Sequence, residues 1–177
     1  MDGIKITQYN DISLDGYISG VNDDTSWIPD CGGEQFHKIV SENEVILMGR
    51  RSYEFAVVEK VFPYKCALNL IMTHDIKQLK QREKENIIFS DGSIEEVMDI
   101  IKNKGYEKVF LMGGGRLNAA FINANMVDEI ILTIHPIVLG GGTKLYEGLV
   151  NKKNFVLVSQ KKLSGGSQVF TFKPNHH

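Results

Sequence analysis

The chain lacks most of what marks a secreted, membrane or nucleic-acid-binding protein. It has only two cysteines, Cys31 and Cys66, far apart, with no CxxC spacing and no clustered histidines. That argues against a disulfide framework or a metal site and for two reduced thiols. No signal peptide is visible: Asp2 stands where a basic region belongs, and no apolar run follows it. No apolar stretch approaches the roughly 20 residues that span a bilayer. Neither sign of charge dominates, with 20 Lys and Arg against 22 Asp and Glu and no basic stripe or tail, so nucleic acid is not an expected partner. What remains is 177 residues, 42% of them apolar, without a linker or an internal repeat. This reads as one cytoplasmic globular domain over residues 1–177 with a full-sized core. The terminal His176-His177 pair, native or a tag remnant, is assigned no role.

Apolar patterning alternates between short β-rich runs and helical stretches, which predicts an α/β fold with a mixed sheet. Strands are expected at 4–9, 45–48, 67–73, 86–90 and 108–112. A loop rich in Asp, Gly, Ser and Asn is expected over 11–33. Helices are expected around Phe36, Ile39 and Val40, over 52–57, from Ser93 to Gly105, and from 114 to about 124. Ser93-Ile94-Glu95-Glu96 is a capping box ahead of Val97, Ile100 and Ile101. The last third changes character, with strands at 129–135, 155–162 and 168–172 and a turn at Gly165-Gly166. Parallel βαβ units thus come first and antiparallel strands last.

Two strand-to-helix junctions carry the functional signal. They are Met48-Gly49-Arg50-Arg51-Ser52 and Met112-Gly113-Gly114-Gly115-Arg116-Leu117. Each brings bare backbone N–H groups, a positive helix end and a guanidinium together, which suits a phosphate; two such sites suit a pyrophosphate gripped from both sides. A dinucleotide-binding fingerprint would need a glycine where Asn118 stands. A Walker A loop would need a different order from Gly140-Gly141-Gly142-Thr143-Lys144. A split site on two helix starts is the pattern that fits. The Gly140–Gly142 run reads as a connection between strands.

These motifs, with Ser13-Leu14-Asp15-Gly16-Tyr17-Ile18, Val127-Asp128-Glu129 through Pro136, and Leu139-Gly140-Gly141-Gly142, occur in an order that resembles the dihydrofolate-reductase-like superfamily. The nearest branch is similar to the reductase (C-terminal) domain of the bifunctional riboflavin-biosynthesis deaminase–reductase. The likeness covers about residues 4–173; the zinc-binding deaminase half is absent. It implies a three-layer fold, a mostly parallel sheet flanked by helices with an antiparallel C-terminal hairpin, and a homodimer. It implies NADPH as cofactor, held by Gly49, Arg50, Arg51 and Ser52 on one side and Gly113, Gly114, Gly115, Arg116 and Leu117 on the other. Ile18 would pack on the nicotinamide. Thr73-His74 would lie near the adenosine 2′-phosphate, with His74 where an arginine is common.

The expected activity is hydride transfer to a small heterocycle of pterin, pyrimidine or ribitylamino type. A domain that keeps the nucleotide fold without turnover is the alternative. Dihydrofolate reductases carry a carboxylate on the first helix shortly after a Trp. Trp27 matches that Trp, but the aligned position falls on Gly32 or Gly33. Asp30 and Glu34 flank the gap. The catalytic candidates are therefore Asp15, in the loop nearest the nicotinamide, Glu34, and His37, which helical geometry turns toward the cleft.

Overall fold

A polar strand lies at the middle of the sheet. β1 (Lys5–Ile12) pairs in parallel with β6 (Lys108–Gly113) on one side and with β7 (Glu129–Ile134) on the other. The computed structural model describes residues 3–175; Asp2 and His176-His177 lie outside the described residues. Outward from β6 run β3 (Val45–Gly49), β4 (Leu68–Met72) and β5 (Ile87–Ser90), all parallel. Outward from β7 run β10 (Gln168–Pro174) and β9 (Phe155–Lys162), both antiparallel. The sheet order is β5-β4-β3-β6-β1-β7-β10-β9. A small second sheet joins β2 (Tyr17–Ser19) to β8 (Thr143–Lys144). The expected mixed sheet with an antiparallel C-terminal end is what the chain forms.

Strand alternation sends side chains to two helix layers. Val45 and Leu47 face one side, packing with Val97, Met98 and Ile101 of α4 (Ile94–Asn103) and Phe121 and Ile122 of α5 (Gly115–Asn123). Ile46 and Met48 face the other, packing with Ile39 and Val40 of α1 (Asp30–Glu42) and Tyr53 of α2 (Arg50–Val58). Each such side chain, fully buried, contributes about 1.5–3 kcal/mol. The capping box at Ser93 is present: Glu96 N–H donates to Ser93 Oγ at 3.2 Å, and Ser93 N–H to Glu96 Oε2 at 2.7 Å.

Two local expectations need correction. β1 runs to Ile12 rather than stopping near residue 9, because Asn10 and Asp11 pair with Leu132 and Thr133 of β7. The 11–33 stretch is not one loop; β2 pairs with β8, and α1 starts at Asp30. Between β4 and β5 the chain also forms the short helix α3 (Ile76–Leu79). Among the described residues no helix is long and apolar enough to cross a membrane.

Candidate functional site

The carboxyl ends of β1, β3, β4, β5 and β6 open onto one cavity of about 960 Å³. In open α/β sheets this is where ligands bind, beside the strands at which the order reverses. Both glycine junctions line it, through Gly49, Arg50, Arg51 and Ser52 and through Gly114, Gly115, Arg116 and Leu117. Ile18, Thr73 and His74 line it as well. Every expected cofactor residue except Gly113 therefore borders one space. Gly113 lies buried beneath it, where its φ of +95° and the Asn118 amide, 2.9 Å from any Cβ, require glycine.

The two junctions face each other closely. A Cβ on Gly49 would point at Gly113 O (3.7 Å) and Gly114 N (3.9 Å). A Cβ on Gly114 would sit 3.7 Å from Ser52 Oγ and 3.9 Å from Ile18 Cδ1. Neither α2 nor α5 has a side-chain cap, and neither carries an acid in its first turn. By contrast α4, also at the cavity rim, has its capping box and two acids there. Arg50, Arg51 and Arg116 lie in first turns, where a cation opposes the helix dipole by about 0.3–1 kcal/mol. Uncapped N–H groups with misplaced cations are what an anionic ligand would satisfy.

These arginines are held at the cavity mouth by surface acids. Arg50 bonds Glu54 Oε1 (2.7 Å) and Asp75 Oδ2 (2.8 Å), and Arg51 bonds Asp23 Oδ1 (2.8 Å). Arg116 lies 3.5 Å from Glu147. Such exposed pairs are worth about 0–1 kcal/mol each and release their guanidinium to a phosphate at little cost. Beneath the junctions a polar chain occupies the α5 face of β1. Tyr146 donates to Gln8, Gln8 and Asn118 donate to Asn10 Oδ1, and Asn10 donates to Met112 O. Its amides fix the backbone that leads into Gly113 and Gly114.

The catalytic candidates separate. Asp15 does not line the cavity; its carboxylate accepts from Ser13 Oγ (2.6 Å), Gly140 N–H (2.8 Å) and Leu139 N–H (3.1 Å). Those bonds, the Ser13 hydroxyl foremost, pull its pKa down to about 2. Asp15 thereby ties the first loop to the 139–142 segment. Glu34 is exposed on α1 and does not line the cavity, so the expectation that it serves the chemistry is not supported by its position. His37 does line it, though it is exposed.

Sequence reasoning missed the buried group at the base of the cavity. Asp11, on the α1 face of β1, accepts from His135 Nε2 at 2.7 Å on Oδ1 and from the Tyr9 hydroxyl at 3.0 Å on Oδ2. His135 Nδ1 meets Ser167 Oγ at 2.8 Å, and Tyr9 also meets Thr133 Oγ1 at 3.0 Å. Burial, then the Asp11 charge, holds the Tyr9 hydroxyl well above the usual tyrosine range. Trp27 packs edge-on to the His135 ring at 5.6 Å. The available signal was the run Gln8, Asn10, Asp11 inside a strand that a parallel sheet normally fills with apolar residues.

Comparison with known proteins agrees with this architecture. Residues 58–169 match the family model for the RibD C-terminal domain. The chain is 32% identical over 167 residues to the uncharacterised Bacillus subtilis (strain 168) protein YyaP, covering 88% of this chain and 87% of that one. A putative riboflavin biosynthesis protein from Shewanella sp. PV-4 superposes with a TM-score of 0.83 at 18% identity, covering 98% of this chain and all (100%) of that chain. The Thermotoga maritima diaminohydroxyphosphoribosylaminopyrimidine deaminase/5-amino-6-(5-phosphoribosylamino)uracil reductase superposes with a TM-score of 0.77 at 16% identity, over 98% of this chain and 57% of that one. With its glycine-lined cavity at the strand ends and its matched sequence, the chain belongs to the RibD C-terminal domain family within the dihydrofolate-reductase-like superfamily.

Proposed function

We propose that this chain is a one-domain, NADPH-dependent reductase of a small nitrogen heterocycle of pyrimidine, pterin or ribitylamino type. One observation carries the reading: two uncapped, arginine-bearing helix starts face each other across a single cavity at the strand ends. The residues present fit a dinucleotide. Gly49 and Gly114 leave the backbone bare on both sides of the space a pyrophosphate would take. When bound, NADPH supplies the hydride.

The chain's own residues would then bind, orient and exclude water. Ser52 adds a hydroxyl at the first turn of α2. Arg50 and Arg116 offer charge from opposite sides. Thr73, His74 and the Arg50 guanidinium cluster where β4 ends, which suits a 2′-phosphate on the adenosine. Ile18, beside Gly114, offers an apolar face to a nicotinamide ring. Substrate would enter over α1, where Ile28, Gly33 and Phe36 line the same cavity.

Assembly as a homodimer in the cytoplasm completes the proposal. β7 is paired on both sides, so it offers no free edge. β9 is the outer strand, and it exposes Val156 (45%), Leu157 (53%) and Val158 (53%). An apolar edge of that kind calls for cover. The enzymatic reading is tested by following NADPH oxidation across a panel of oxidised pyrimidines and pterins. Turnover of any member supports it; tight NADPH binding with no turnover across the panel favours a nucleotide-binding domain without chemistry.

A further inference from the structure

A second cavity, of about 380 Å³, lies on the α5 side of β7 and β10 and shares no lining residue with the strand-end cavity. Ile122 and Ile130, both buried, and the half-buried Leu132, Tyr146, Phe155 and Phe172 give it an apolar lining. Those four half-buried side chains pack on the core yet keep part of their surface uncovered. The Tyr146 hydroxyl is already engaged by Gln8 Oε1 at 3.3 Å, which leaves its ring as wall. The volume falls within the range of small-molecule sites, roughly 300–1,000 Å³.

Apart from that hydroxyl, the polar part of the lining comes from one segment, Asn151, Lys152 and Lys153. The end of α5 pins this segment in place. Asn123 donates to Gly148 O at 3.0 Å and accepts from Val150 N–H at 3.2 Å, and Lys153 donates to Asn125 Oδ1 at 2.6 Å. Among the described residues no acid lines the cavity, and neither lysine is in an ion pair. Nor do the lysines complete the helix end. The N–H groups of Ala124, Asn125 and Met126 already take the carbonyls of Ala120, Ile122 and Phe121. Two uncompensated cations at the edge of an apolar space suit a ligand with an apolar body and one negative end.

We propose that this cavity is a second small-molecule site, and that its ligand is a fatty-acid-type monocarboxylate of medium chain length. The hydrocarbon chain lies among Ile122, Ile130, Leu132 and Phe172, and the carboxylate meets Lys152 and Lys153. The site does not depend on the reductase reading, because the two cavities have no residue in common.

The test is calorimetric titration of the full chain with octanoate, hexanoate and octanol. Octanoate should bind about tenfold more tightly than hexanoate, since two more methylenes leave water. It should also bind about tenfold more tightly than octanol, through charge-assisted bonds. The double variant Lys152→Gln/Lys153→Gln should remove the advantage over octanol and leave octanol affinity unchanged. Leu149→Ala, at an exposed position on the rim, should weaken octanoate and octanol alike. In methyl NMR spectra octanoate should shift Ile122 and Ile130 and leave Ile18 and Ile28 of the strand-end cavity in place. No saturable octanoate binding, equal affinity for octanoate and octanol, or shifts at Ile18 and Ile28 instead would overturn the proposal. So would octanoate affinity that falls as protein concentration rises, which would show that a second copy of the chain covers this face.

Discussion

The Gly32 backbone and the Asp11 carboxylate occupy one another's space: the Cβ that Gly32 lacks would lie 2.5 Å from Asp11 Oδ1. Helix α1 can therefore approach β1 here only because residue 32 is glycine. The same Cβ would lie 3.2 Å from His135 Cε1, so the first helix also abuts the buried His135 and Ser167 pair that Asp11 bonds. Gly32→Ala should destabilise the fold by about 1–3 kcal/mol, the usual range for a forced methyl in a packed site. Urea denaturation reads this directly. An unchanged midpoint would mean that α1 shifts freely and that the contact is loose.

Cofactor choice should follow the arginines. Arg50 stands between Glu54 and Asp75 beside the Thr73-His74 turn. A phosphate there exchanges weak surface pairs for charge-assisted bonds. NADPH should bind more tightly than NADH by about 1–3 kcal/mol, and Arg50→Gln should remove most of the difference. Equal calorimetric affinities of wild type for the two cofactors would contradict this.

Asp15 should titrate as a loop tether. Its folded pKa, about 2, lies below the ordinary carboxylate value of 3.8, chiefly through the Ser13 hydroxyl. A depressed carboxylate pKa means that its contribution is complete above the unfolded value and is lost as pH falls through the folded one. The Gly140 and Leu139 amide resonances should hold steady down to about pH 4 and then shift with a midpoint near 2. A midpoint near 3.8 would show that the tether does not form in solution.

Rate comparisons sort the remaining acids. Single-turnover NADPH oxidation in Glu34→Gln and His37→Ala proteins should stay within about threefold of wild type, because Glu34 is outside the cavity and His37 is exposed at its mouth. General acid catalysis is worth about 10²- to 10⁴-fold, so a loss of that size in His37→Ala would identify it as the proton donor after all.

Much of this molecule can be read from the chain alone, for physical reasons. The capping box at Ser93, the glycine junctions and the order of parallel before antiparallel strands are local signals, complete within a few residues each. Asp11 and His135 lie 124 residues apart and meet only because β1 pairs with β7. In the sequence, Gln8 falls inside the expected first strand, but Asn10 and Asp11 fall past its expected end, Asp11 at the start of a loop. In the fold their polar side chains are divided between its two faces, amides toward α5 and the carboxylate toward α1. The Asp15 tether depends likewise on the 139–140 backbone arriving from far along the chain. Such pairings have no short-range trace.

The measurement that bears most directly on the central claim is equilibrium binding of NADPH to wild type and to Gly114→Val, followed by calorimetry or by the fluorescence of Trp27. Gly114 has an ordinary negative φ, and a Cβ there meets nothing closer than 3.7 Å, so the variant should fold. Its side chain would stand in the gap between Ser52 and Ile18 where the pyrophosphate should approach the α5 amides. The account predicts saturable NADPH binding by wild type and none by a folded Gly114→Val protein. Wild-type affinity in that variant would contradict it.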